Sequence, residues 1–133
     1  EKEQVVMIHA AIMGSIERFM PTLIEHLAGQ FPTWLNPVQV AVIPVRDEHI
    51  DETKKIIETL SLKDIRVEHI DYNESLGKRI HAAKKMNSPY VIVLGDKEKE
   101  SGLLTIEKRD GSKTQMTLTD FTTHIQEEIK NRS

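Results

Sequence analysis

Two groups of side chains in this 133-residue chain have the types and spacing to do chemistry. The first is Gly14-Ser15-Ile16-Glu17-Arg18, where a glycine–serine turn precedes a stripe of apolar residues. Free N–H groups and the helix dipole favour negative charge at a helix start, so Ser15 and Arg18 there suit an anion. A surface Arg18 paired with Glu17 is the plainer reading of the same residues. The second group lies in residues 75–87. At about 100° per residue, Leu76, Ile80 and Ala83 share one face, and Lys78, His81 and Lys85 share the opposite one. Such a basic stripe can track an RNA backbone through phosphate contacts that carry no sequence information, and a solvated face accounts for it equally well. His9 directly follows the apolar run Val5–Ile8, the usual setting of a satisfied core histidine. There is no cysteine, which excludes disulfides and thiolate metal sites, and the six histidines are scattered with no HExxH pair.

These residues need elements to hold them. Val5–Ile8 reads as a strand buried on both faces. Residues 15–28 carry apolar side chains at 16, 19, 20, 23, 24, 27 and 28, the stripe of an amphipathic helix, with Gly29 as its C′ residue. Pro21 inside that pattern predicts a kink or a restart. Residues 31–37, FPTWLNP, read as a linker anchored by Trp34, with a domain boundary at its end. Beyond it the order is strand (38–45), helix (47–60) and strand (65–70), a spacing that gives a parallel pair. The basic helix 75–87 comes next, then a buried strand, Tyr90–Leu94, that runs into Gly95-Asp96-Lys97-Glu98. Residues 103–107 and 114–118 flank Arg109-Asp110-Gly111, a hairpin signal, and residues 120–130 close the chain as a helix. A nucleotide-binding reading of this order lacks both GxGxxG and GxxxxGK[ST].

Composition narrows the class further. The length supports one compact domain with a short appendage, and 38% hydrophobic with 29% charged residues is ordinary for a soluble globular protein. No apolar run reaches about 18 residues, and the N-terminal residues have no signal-peptide pattern, so the expectation is a cytoplasmic protein with no membrane contact. A net charge of −3 argues against a generic nucleic-acid or DNA binder. Residues 74–113 nevertheless hold nine basic against six acidic side chains, which makes that region the place to look for RNA.

The motifs IHAAIMGSIERF (8–19), LIEHLAG (23–29), FPTWLNPVQV (31–40), DYNESLGKRI (71–80) and PYVIVLGDKEKESG (89–102) follow one another in a set order. Over nearly the whole chain that order resembles one family, the threonyl-tRNA synthetases. The resemblance implies a C-terminal piece: residues 1–36 as the end of a class II catalytic core with its third motif and linker, and residues 37–133 as an anticodon-binding domain. The implied fold is α/β, a mixed five-stranded sheet flanked by helices and preceded by the last strand and helix of the catalytic core. It further implies ATP contacts at Ser15 and Arg18 in the parent enzyme. His9 is implied as one of three zinc ligands, the other two lying outside this chain. Zinc and ATP-Mg would serve the parent, a homodimer through its catalytic core, and this piece alone would bind neither cofactor and be inactive.

The implied partner is a threonine-specific tRNA. Reading an anticodon needs bases splayed out, stacked and hydrogen-bonded at their edges. The resemblance assigns such contacts to Asn73, Lys78, His81, Lys85 and Glu98, with the Glu98 carboxylate suited to the donor edge of guanine. Three positions depart from the family pattern: Ala10, His81 and Glu107 stand where arginine is common, and Glu107 inverts the charge. These departures keep a second reading open, a non-catalytic synthetase-like paralogue with weakened anticodon recognition.

Overall fold

A computed structural model describes residues 4–70 and 74–133, which form two compact units divided between Gln30 and Phe31. The first unit contains one helix, α1 (Ile16–Leu27). It runs through Pro21 without a restart and ends with Ala28 and Gly29 both in the left-handed region, at φ 49° and 73°. Gly29 donates its N–H to the Ile24 carbonyl, and this turn closes the helix.

Val5–Ile8 is not a strand. These residues have no regular structure and are 84–89% exposed. An apolar run becomes β-structure only when a neighbouring strand accepts and donates its backbone hydrogen bonds. No strand among the described residues pairs with it. His9 shares its exposure, so it is not a core histidine either.

The second unit is a three-layer α/β fold. Its strands are β1 (Val40–Pro44), β2 (Val67–His69), β3 (Tyr90–Leu94), β4 (Leu104–Lys108) and β5 (Lys113–Met116), in the sheet order β2-β1-β3-β4-β5. β1 lies parallel to both β2 and β3, while β4 is antiparallel to both β3 and β5. The mixed five-stranded sheet expected from the sequence is therefore present. A 3₁₀ turn (Asp47–His49) leads into α2 (Ile50–Ser61), and α3 (Leu76–Lys85), the short α4 (Asp96–Ser101) and α5 (Leu118–Asn131) complete the unit.

Period-two alternation sorts the strands between two cores. Val40, Val42, Tyr90, Ile92, Leu104 and Ile106 face Ile56 and Leu60 of α2 and Phe121 and Ile125 of α5. Ala41, Ile43 and Val91 face the other way, where Ala83, Ile80 and Leu76 of α3 cover them. The first core is the larger and takes its buried strand residues from β1, β3 and β4, with Val67 of β2 and Met116 of β5 packed against it. The second takes its strand residues from β1 and β3 alone.

Residues 31–37 are part of this second unit rather than a free linker. The Arg109 guanidinium donates twice to the Phe31 carbonyl at 3.0 Å, and the Thr33 hydroxyl donates to Glu128 at 2.9 Å. Gln39 donates to the Thr33 carbonyl at 2.8 Å, and Arg66 caps the carbonyls of Trp34 and Asn36. The second compact unit thus starts at Phe31.

Candidate nucleic-acid interface

The α3 side of β4 and β5 carries polar side chains. Register places Val91, Glu107 and Lys113 in one row across β3, β4 and β5, and Val93, Thr105 and Gln115 in the next. Directly opposed residues of an antiparallel pair point to the same side. Because Val91 and Val93 pack on α3, Glu107, Lys113, Thr105 and Gln115 share that side. The result is an open polar floor between α3 and α4.

Glu98 stands at the α4 edge of this floor. Its Oε2 accepts the N–H of Gly95 at 3.1 Å, and its Oε1 accepts the Thr105 hydroxyl at 2.7 Å. A Cβ at Gly95 would lie 3.3 Å from Glu98 Oε2 and 3.4 Å from Val45 Cγ2, so a side chain there would press the carboxylate by a few tenths of an ångström. Residues 95–98, which follow β3, are a helix start that Glu98 caps from the third helical position. Burial raises the Glu98 pKa, but Thr105, the N–H groups of Glu98 and Gly95, and Lys97 outweigh it and leave the carboxyl below its ordinary range. Gln115 Nε2 reaches the Thr105 hydroxyl at 3.4 Å and extends the chain of polar contacts to β5. Each Glu98 oxygen has a second lone pair, so the carboxylate can accept further hydrogen bonds from a ligand.

Two further links fix the start of α4. His49 is buried, with its Nδ1 accepting the Arg46 N–H at 3.2 Å and its Nε2 placed 3.0 Å from Asp96 Oδ1. Because Nδ1 accepts, Nε2 carries the proton and donates to Asp96. Arg46 itself lies 3.4 Å from the other Asp96 oxygen. Across the floor, buried Arg79 of α3 donates to the carbonyls of Pro44 and Val45, tying α3 to the end of β1.

The charge inversion at Glu107 is neutralised locally. Lys84 Nζ lies 2.8 Å from one carboxylate oxygen and Lys113 Nζ 3.5 Å from the other. The hydrogen bond from Lys84 is the chief reason the Glu107 carboxyl sits below its ordinary range. Burial opposes the shift, and the charges of Lys84 and Lys113 assist it. Lys108, one residue on, points to the opposite side and lies over the Tyr90 ring.

The structure treats the residues marked in the sequence differently. Lys78, His81 and Lys85 are exposed on α3, and Lys78 pairs with Glu74 at 3.7 Å. Asn73 lies outside the described residues. In the first unit, Ser15 precedes α1 without a side-chain cap on its N–H groups, while Arg18 is exposed. The Glu17 carboxyl is pulled down chiefly by its own backbone N–H and then by Ser15, so the chain's own acid already sits in the anion-favouring position. For zinc the donor set does not suffice: among the described residues no cluster of three or more ligating side chains exists, and His9 stands as one donor.

Thr105, Gln115, Lys84 and Lys113 were not singled out in the sequence. For Lys84 a signal existed, because it falls eight residues after Leu76 and so continues the stripe that faces the sheet. The other three needed the β4–β5 register, which depends on where the hairpin turns.

No helix of the described residues is long and apolar enough to cross a membrane. A family model described as "Anticodon binding domain" matches residues 39–128. The chain is 47% identical over 128 residues to a threonine–tRNA ligase of Thermotoga neapolitana, covering 96% of this chain and 20% of that protein. It is 45% identical over 134 residues to the threonine–tRNA ligase of Clostridium botulinum strain Langeland, covering all of this chain and 21% of that protein. The chain thus spans about a fifth of the length of these relatives. Among solved structures, the RNA binding domain of threonyl-tRNA synthetase from Cryptosporidium parvum matches 89% of this chain and 30% of its own. The TM-score is 0.82 at 24% identity, a likeness of fold.

Proposed function

The chain belongs to the anticodon-binding domain family, and on that premise we propose that it is the C-terminal, tRNA-reading part of a threonine–tRNA ligase. The observation that carries the reading is the open polar floor, with an ionised, pre-oriented Glu98 at its edge and the exposed face of α3 beside it. A base laid on this floor would present its donor edge to Glu98, and guanine, with two adjacent donors, suits a carboxylate best. His81, Lys78 and Lys85 on α3 would follow the RNA backbone, and Asn73 supplies a paired donor and acceptor just ahead of that helix. The names of the relatives support a ligase over a drifted, non-catalytic paralogue.

The segment before Phe31 would complete the class II catalytic core of the parent, with Ser15 and Arg18 near ATP. His9 would join two further donors from the parent on a zinc ion. Exposure of the run Val5–Ile8 fits a segment whose partners belong to that core. The parent would be a cytoplasmic homodimer. In this reading the chain alone shows no threonine-dependent ATP–pyrophosphate exchange, and measurable exchange would overturn it.

The direct test is binding of this chain to a threonine-accepting tRNA and to the same tRNA with its middle anticodon base changed, at two salt concentrations. Tighter binding of the unaltered tRNA at both salts is expected. Equal binding that fades with salt would mean phosphate contacts alone, and base reading by Glu98 would be wrong.

A further inference from the structure

We propose that Lys84 and Lys113, held in place by Glu107 on the open face of the sheet, form a contact for one backbone phosphate of single-stranded RNA. The inference rests on the tRNA-binding reading above and deepens it by assigning the phosphate-binding part of the floor. Glu107 is only 14% exposed, whereas the two lysine side chains are 57% and 64% exposed. The carboxylate therefore lies beneath and the ammonium groups lie above it, toward solvent. Two positive charges around one negative charge leave a single uncompensated positive charge. Each ammonium has three donors, and the bridge to Glu107 uses one.

Position on the sheet decides the ligand. Glu107 and Lys113 are a directly opposed pair on β4 and β5, and Thr105–Gln115 is the next pair on the same side. The two rows are separated by two residues of rise, about 7 Å. One nucleotide can span that distance, so a base at the Glu98–Thr105–Gln115 row would place an adjacent phosphate over the lysines. Polar donors and acceptors for a base edge beside a fixed positive charge favour RNA over an acidic peptide, which would leave the amide and carboxylate row unused. Glu107 acts as a positioning residue here: it holds two long side chains that would otherwise sample many rotamers.

The test is the salt dependence of binding to a threonine-anticodon stem-loop RNA and to the same loop with its middle base changed. The proteins would be the unaltered chain, the variant with Lys84→Ala and Lys113→Ala, and a further variant with Glu107→Gln added. The last removes the carboxylate left behind, so a fault of folding can be told from a loss of contact. Loss of one neutralised phosphate should make the slope of log affinity against log salt shallower by about 0.7 in both variants. The preference for the unaltered loop should persist, because phosphate contacts carry no sequence information. An unchanged slope would overturn the inference. A collapsed preference at an unchanged slope would overturn it too, by making the lysines base readers. If the unaltered chain bound neither loop at low salt, the tRNA-binding reading itself would fall and take this inference with it.

Discussion

The two faces of the sheet are built to opposite specifications. Toward α2 and α5, buried residues of β1, β3 and β4 meet helix side chains in one continuous apolar core, in which Phe121 and Ile125 are fully buried. Toward α3, the apolar contact stops at β3, and β4 and β5 present one carboxylate, one ammonium group, a hydroxyl and an amide, flanked by Lys84 of α3 and Glu98 of α4. Strand alternation puts both faces on the same backbone, so a single β4 residue step moves from the apolar core to the polar floor: Ile106 is buried, and Glu107 beside it anchors a charge cluster. Stability should therefore respond to one face and RNA binding to the other.

That division can be broken most directly from the apolar side. Phe121→Ala deletes a fully buried ring that stands edge-on to Tyr90, 5.3 Å between centroids, and should cost about 3–5 kcal/mol in urea unfolding. Arg79→Met tests a charged side chain that is buried on the sheet side of α3. Losing its bonds to the Pro44 and Val45 carbonyls should cost about 1.5–3 kcal/mol, and a neutral outcome would mean that α3 docks by apolar contact alone. Tyr90→Phe keeps the ring and removes a hydroxyl that donates to Glu128 at 2.7 Å, for about 1 kcal/mol. Gln115→Ala on the exposed floor should change stability by less than about 0.5 kcal/mol while lowering tRNA affinity. A large loss of stability there would erase the contrast between the faces.

Acid sharpens the same contrast. Glu98 and Glu107 both sit below the ordinary carboxylate value of 4.5 in the folded chain. Above that value they are ionised in both states and their stabilisation is complete. As pH falls through their folded values both become protonated and the stabilisation is lost, so stability declines on the acid side. Glu107→Gln should flatten part of that decline in unfolding midpoints measured from pH 6 to pH 3, and an identical acid limb would show that the Lys84 bridge contributes nothing.

Much of this was legible in the sequence because periodicity reports burial. Leu76, Ile80 and Ala83 marked the sheet-facing side of α3, and the nearly all-apolar stretch 38–45 marked a strand, which the structure bounds at Val40–Pro44 and buries throughout. Where the reading failed, the missing information was long-range. Val5–Ile8 has the composition of a strand but no strand to pair with among the described residues. Arg79 falls on the apolar stripe, three residues after Leu76, yet only the carbonyls of Pro44 and Val45 explain why a charge is buried there. Glu98 was marked as a base reader by resemblance, whereas the cap it places on α4 emerges only from its hydrogen bond to the Gly95 N–H. The Lys84–Glu107–Lys113 cluster joins residues from a helix and two strands, and no local pattern announces it.

The clasp at the start of the second unit has a consequence for modularity. Thr33 near its beginning bonds Glu128 near its end, and Arg132 lies over the Trp34 ring at 5.9 Å. Entry and exit therefore meet at one point on the surface. A domain whose ends are already neighbours tolerates being excised, inserted into a host loop or rejoined end to end. Residues 31–133 are built as a portable cassette, with the exposed Asp110–Gly111 turn as the natural place to open a circular permutant.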